Sequence, residues 1–164
     1  MTDFVIRRAT LDDAVAIRDI YNHYVLTSTC TYQYEPETLE QRQAWLCQRS
    51  DLHPAIVVTI EDRVVGWASL SPWKEREGYR FAVEFSVYIH HELHRRGLGQ
   101  ALVEELIRLA RAAGHHTMLG GACSSQTASL ALQESMGFRR VAHLKEVGYK
   151  FGRWLDVVYL QLIL

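Results

Sequence analysis

Cysteine is scarce in this chain: three among 164 residues, at positions 30, 47 and 123, an odd number set far apart. That spacing excludes a disulfide framework and a CxxC metal site, and it predicts reduced, buried thiols. A surplus of charge is missing too. The formal net charge of -1 leaves no basic field for nucleic acid, so any anion recognition must be local. No apolar run reaches the roughly 18 residues a spanning helix needs, and residues 1–10 lack the apolar stretch of a signal peptide. These absences predict a cytoplasmic protein with neither a membrane nor a nucleic-acid partner. Repeats, linkers and low-complexity tracts are absent as well, so a single domain over 1–164 is expected, long enough to bury a core without staples. His91, Glu92 and His94 come near a zinc motif but miss it: HExxH sets its histidines four apart on one helical face, and these stand three apart at a strand exit. No metal is expected.

What is present is a strand joined to a helix through a glycine turn, in the stretch VEFSVYIHHELHRRGLGQAL from Val83 to Leu102. Val83 to Ile89 is β-branched and aromatic enough for a strand, and Gly97, Leu98 and Gly99 open a helical pattern that runs to about Ala113. Glycines let backbone N–H groups approach phosphate oxygens, and the first helical turn carries unpaired N–H groups and the positive end of the dipole. Arg95 and Arg96 add two fixed charges beside them. The turn predicts a multiply phosphorylated ligand.

The other elements follow from period and punctuation. Phe4 to Arg8 alternates as a strand, Thr10 with Asp13 opens a helix bearing Ala14, Ile17, Tyr21 and Tyr24 on one face, and Thr38 with Gln41 opens a second running to about Arg49. Ala55 to Ile60 and Val64 to Leu70 form a hairpin across Glu61, Asp62 and Arg63. The helix from Gly97 turns Leu98, Leu102, Leu106, Leu109 and Ala113 to one side and stops at Gly114. Thr117 to Ala122 is a short strand, Gln126 to Met136 a helix ended by Gly137, and Phe138 to Leu164 two long strands with Gly148 and Gly152 at the bend. This order gives an α/β chain with a mixed sheet flanked by helices, its phosphate turn at the exit of a central strand.

His94, Arg95, Arg96, Gly97, Leu98 and Gly99 occupy the places of the coenzyme motif of the GNAT N-acetyltransferases: Gln or Arg, two residues, Gly, any residue, then Gly or Ala. Further segments narrow the resemblance. Tyr21 to Tyr24 with Thr27, Ser28 and Thr29, Pro72 to Lys74 with Arg76 and Tyr79, Val83 and Glu84 with Val87 and Tyr88, and Gly148 with Lys150, Gly152, Trp154, Asp156 and Val157 are similar to the phosphinothricin and methionine sulfoximine acetyltransferases. The resemblance implies a GNAT fold, α+β, with a mixed, mostly antiparallel sheet of about seven strands flanked by about four helices. It implies acetyl-CoA as co-substrate, with backbone groups of Val87, Tyr88 and Ile89 pairing with the pantetheine arm like an added strand. Arg95, Arg96, Gly97, Leu98, Gly99 and Gln100 would hold the pyrophosphate. A small amino acid-like amine would enter from the opposite side, near Trp73, Arg76 and Glu84. Relatives of this kind are commonly homodimers, and the apolar ending Val157 to Leu164 would suit an interface strand.

Acetyl transfer to an amine needs a neutral amine, a positioned carbonyl, a donor for the developing oxyanion and an exit for the thiolate. Glu84 is the candidate base, acting directly or through a water, and a backbone N–H near Val87 or Tyr88 is the expected oxyanion donor. Relatives carry Asn, Ser or Ala, Leu, then Tyr or His on the later helix, where this chain has Gln126, Ser129, Leu132 and Gln133. Gln133 is no acid, though its amide can hydrogen-bond the sulfur. A thiol pKa of roughly 8.5 makes the thiolate a tolerable leaving group without full protonation. Gln126, Ser129 and Gln133 remain expected coenzyme contacts. Arg76 and Arg80 are candidates for an acceptor carboxylate, which a guanidinium grips through two parallel bonds, and Trp73 and Tyr32 for the walls of an aliphatic pocket. Lys150, Trp154 and Asp156 are read as fixing the last hairpin or a dimer contact. Two rival readings stand beside this one: a different small amine or peptide N-terminus as acceptor, and a coenzyme-binding module with little catalysis.

Overall fold

The computed structural model describes residues 3–164, so the first two residues of the segment read for a leader lie outside it. The elements are β1 (Val5–Arg8), α1 (Ala14–Thr27), α2 (Leu39–Cys47), β2 (Ala55–Ile60), β3 (Arg63–Pro72), β4 (Ala82–Ile89), α3 (Leu98–Ala112), β5 (Thr117–Cys123), α4 (Thr127–Ser135), β6 (Arg139–Lys150) and β7 (Arg153–Ile163). The seven strands form one sheet in the order β1-β2-β3-β4-β5-β7-β6. Every neighbouring pair is antiparallel except β4 with β5. This is the mixed sheet with four helices that the resemblance implied.

Local chemistry explains the helix starts. Thr38 N–H donates to Gln41 Oε1 at 2.8 Å and Gln41 N–H returns to Thr38 Oγ1 at 3.2 Å, the reciprocal box that opens α2. Before α1, Asp13 accepts from Thr10 N–H at 2.8 Å and from the Arg7 guanidinium at 2.8 and 2.9 Å, which ties the helix start to β1. One face of the sheet packs Ile56, Val58, Leu70, Val83 and Phe85 against Leu98, Leu102, Val103 and Leu106 of α3 and Leu130 of α4. The other packs Val57 and Trp67 against Ala14, Ile17 and Ile20 of α1 and Leu46 of α2. Each fully buried Leu or Ile contributes about 1.5–3 kcal/mol, so α1–α2 and α3–α4 hold the sheet firmly from both sides.

Three expectations need correction. Gly148 lies within β6 opposite Leu155, not at the bend. The bend is Phe151 and Gly152, both at positive φ (53° and 74°), as a two-residue turn of mirror type requires. Gly148 is instead a contact point: a Cβ there would stand 2.9 Å from the Tyr32 ring. The ending Val157 to Leu164 is an interior strand and offers no sheet edge, because β7 is inserted between β5 and β6, with Val157, Val158 and Leu160 buried. The free edge belongs to β6. Finally, of the three thiols only Cys123 is buried; Cys30 is intermediate and Cys47 exposed.

Candidate active site

The strands β4 and β5 run parallel for only three rungs: Ala82 with Thr117, Val83 with Met118 and Glu84 with Leu119. Beyond Glu84 they part, β4 continuing along β3 to Ile89 and β5 along β7 to Cys123. A cavity of about 270 Å³ opens where they separate. Its walls are Glu84 to Tyr88 of β4, Gly121 to Cys123 of β5, and Gln126 at the cap of α4 with Ser129 and Gln133 on it. Val157 and Tyr159 of β7 and the strap Thr29 to Tyr32 after α1 complete it.

Backbone parity decides what the gap offers. His90 N–H donates to the Val65 carbonyl at 2.8 Å and Trp73 N–H to the Ala82 carbonyl at 3.1 Å, with unbroken register between, so even-numbered residues of β4 face β3. Val87 and Ile89 therefore turn their backbone groups into the gap, whereas the Tyr88 backbone is committed to Trp67 and only its side chain lines the cavity. The Ile89 carbonyl already accepts from the Tyr24 hydroxyl, which also meets His94 Nε2 at 2.6 Å. The open edge thus consists of the Val87 N–H and C=O and the Ile89 N–H.

Glu84 stands at the vertex of the gap. Burial pushes its carboxyl pKa up, and the Lys74 ammonium opposes that rise. The neighbouring Tyr159 phenol is also pushed up, by burial and then by Glu84. Gly121 makes room for this pair: a Cβ would stand 2.8 Å from the Tyr159 ring and 3.4 Å from Glu84 Oε1. Trp73 packs edge-on against Tyr159 at 5.1 Å and carries Lys74 Nζ 5.4 Å from its ring centre. Trp73 therefore backs the wall rather than forming it, while Tyr32 lines the cavity directly. Arg76 and Arg80 are exposed and outside the cavity lining. Arg76 precedes the turn Glu77–Tyr79, and Arg80 sits over the Phe81 ring at 4.4 Å. Lys74 is the cation whose charge bears on Glu84.

The turn before α3 holds two residues in the left-handed region. Arg95 (φ 63°) and Gly97 (φ 77°) are both left-handed, and a Cβ on Gly97 would meet nothing within 4 Å. Such alternation converges backbone N–H groups on a small concavity. Arg95 and Arg96 are exposed beside it. Leu98 offers only its backbone, since its side chain is core. At Gly99 a Cβ would make only ordinary contacts, 3.6 Å from Leu132 and 3.8 Å from Ile89. The Gln100 amide donates down the helix to Glu104 Oε1 at 2.8 Å.

On α4 the three expected contacts reach the cavity, each in its own way. Gln126 Nε2 donates to Thr29 Oγ1 at 3.0 Å and Ser28 Oγ at 3.3 Å, which ties it to the strap. Ser129 lines the cavity. Gln133 is 3% exposed, and its Oε1 lacks a hydrogen-bond partner. It lies over Gly120, where a Cβ would stand 2.1 Å from that oxygen. Sequence reasoning missed the strap residues Thr29, Cys30 and Thr31, and also Gly121, Cys123 and Tyr159. The Gly120-Gly121 pair inside a strand was the available signal, since glycine there marks a close approach.

Among the described residues no group of three His, Cys, Asp or Glu could hold a metal ion, and no helix is long and apolar enough to cross a membrane. An open, left-handed turn at a helix start, a free strand edge and a cavity in line with them fit a long ligand with an anionic end. Residues 6–159 match the acetyltransferase (GNAT) domain family. An L-methionine sulfoximine/L-methionine sulfone acetyltransferase of Salmonella typhimurium is 41% identical over 158 residues, 96% of this chain and 92% of its own. A phosphinothricin N-acetyltransferase of Streptomyces viridochromogenes is 36% identical over 156 residues, 95% of this chain and 85% of its own. The structure of a GNAT superfamily phosphinothricin acetyltransferase from Sinorhizobium meliloti, in complex with acetyl-CoA, superposes with a TM-score of 0.93 at 32% identity, covering 100% of this chain and 89% of that one. With residues 6–159 matching the domain family and relatives this similar over nearly the whole chain, the chain belongs to the GNAT acetyltransferase family.

Proposed function

We propose that this acetyltransferase moves acetyl from acetyl-CoA to the α-amine of a small amino acid analogue, of the methionine sulfoximine, methionine sulfone or phosphinothricin type, by direct attack. The observation that carries the reading is the position of Glu84 at the parting of β4 and β5, in one cavity with the free Val87 edge. Acetyl-CoA supplies an activated thioester when bound; the chain's own residues do the rest. The left-handed turn Arg95 to Gly97, the Leu98 and Gly99 amides and the two arginines hold the pyrophosphate, with Gln100 at its margin. Val87 and Ile89 hold the arm as an added strand, and the Val87 N–H is the donor placed to meet developing oxyanion charge.

Glu84 removes the amine proton, directly or through a water. Its raised pKa makes it a better base than an exposed carboxylate. Gln133 offers an amide toward the thiolate, Ser129 lies along the same path, and Gln126 acts through the strap. Tyr32 and Tyr159, backed by Trp73, wall the acceptor side. Arg76 and Arg80 stand outside the lined cavity, so an acceptor carboxylate reaching Arg76 would require the loop after β3 to fold inward. The reading includes one catalytic domain over 1–164, a cytoplasmic setting and a homodimer. The test is thiol release from acetyl-CoA with each of the three analogues and a panel of amino acids and peptides. Acceptor-dependent release with the analogues supports the reading. Tight coenzyme binding without release from any acceptor, or release with peptide N-termini alone, would overturn it.

A further inference from the structure

Lys150, near the end of β6, is a buried cation to which the proposed chemistry gives no part. It is 3% exposed. Its Nζ donates to the carbonyl of Ser28 at 2.7 Å and to that of Thr31 at 2.8 Å, and it lies 5.0 Å from the centre of the Phe151 ring. Carbonyls and an aromatic face, rather than a carboxylate, satisfy this ammonium, and burial lowers its pKa. Ser28 is the C-cap of α1 and is already extended (φ -138°, ψ 155°), so Lys150 holds the chain just where it leaves the helix.

The two carbonyls bracket the strap that lines the cavity. Between and beside them, Thr29, Cys30, Thr31 and Tyr32 form the wall facing Glu84 and Tyr159. Other groups touch the strap through side chains or at longer range: Tyr21 Oη to Thr31 Oγ1 at 2.8 Å, Tyr88 Oη to the Cys30 carbonyl at 3.4 Å, and Gln126 to Thr29. Lys150 alone among these pins two main-chain positions with short bonds, and it does so from outside the cavity. A buried ammonium spent on two strap carbonyls fixes where the wall stands.

We propose that Lys150 is a positioning residue for the acceptor, which docks the strap 28–32 against the last hairpin and so holds the acceptor-side wall in place. This rests on the assignment of the strap side of the cavity to the acceptor. Lys150→Met should raise the acceptor KM about tenfold or more, with kcat and the coenzyme Kd within about twofold of wild type. Cys30 rides on the strap and provides a readout that needs no acceptor. Its alkylation by N-ethylmaleimide, followed by peptide mass, should become about tenfold faster in Lys150→Met, while exposed Cys47 reacts at an unchanged rate. Lys150→Arg keeps the charge and should restore part of both effects, and it carries the test if the Met variant does not fold.

Unchanged Cys30 labelling in both variants would overturn the proposal, as would equal acceleration at Cys30, Cys47 and Cys123, which would mean a loosened fold rather than a freed strap. A loss confined to coenzyme Kd would also overturn it, by moving the strap to the other ligand. If the acceptor class itself is wrong, wild type will fail to acetylate the analogues, and the Cys30 result still stands or falls separately.

Discussion

Glu84 is the proposed base, and its burial makes two expectations testable. Glu84→Gln should lower kcat by about 10²–10⁴, the usual worth of a positioned base, while coenzyme Kd measured by calorimetry stays within about twofold. In wild type the acid limb of kcat/KM should fall above the ordinary carboxylate range, because the folded pKa is raised, and that limb should vanish in the variant. Stability carries the same sign. A carboxyl whose folded pKa exceeds its unfolded value contributes stability below about pH 4.3 and loses it as pH rises through the folded value. At neutral pH Glu84→Gln should therefore melt at or above the wild-type temperature, an advantage that disappears in acid. Lys74, opposing the shift, moves the limb the other way: Lys74→Met should displace it to higher pH. Glu84 was legible in the sequence through the family pattern, and Lys74 was quoted without a role, since the field between two side chains depends on a loop conformation that spacing does not specify. Arg76 and Arg80 show the converse. Their chemistry suits a carboxylate, but the fold leaves both on the surface.

At the scale of elements, the helix starts and the strand-to-helix turn were readable because their causes are local: capping boxes at Thr10 and Thr38, and a left-handed glycine at 97. The errors lay where the cause is a distant partner. Gly148 looks like a turn residue, yet its small size serves the Tyr32 ring, 116 positions earlier in the chain. Val157 to Leu164 reads as an apolar ending suited to an interface, yet a strand apolar on both faces also suits the interior of a sheet, and β7 is there. Glycine-to-alanine changes separate these roles. Gly120→Ala would press Gln133 at 2.1 Å and Phe85 at 2.5 Å, in the core, and should cost about 1–3 kcal/mol in chemical denaturation. Gly148→Ala would press only Tyr32, and should raise acceptor KM with a smaller change in melting temperature.

For the molecule as a whole, the outer edge of β6 is unpaired, and Val141, Leu144, Val147 and Tyr149 on it are exposed, with Trp154 on the neighbouring strand 64% exposed. An apolar edge of this length invites a second copy of the chain. Light scattering should give twice the mass computed from the sequence, and Trp154→Glu combined with Val147→Lys should halve it. The other consequence concerns the three rungs between β4 and β5. Half the sheet meets the other half through that short seam, and a coenzyme laid along the open β4 edge as proposed would add contacts across the opening. At a hundredfold excess over Kd, acetyl-CoA should add about 2.7 kcal/mol to unfolding. In hydrogen exchange the slowing should fall on the Val87 and Ile89 amides and skip Tyr88, one position between them, because its N–H is already spoken for in the neighbouring strand.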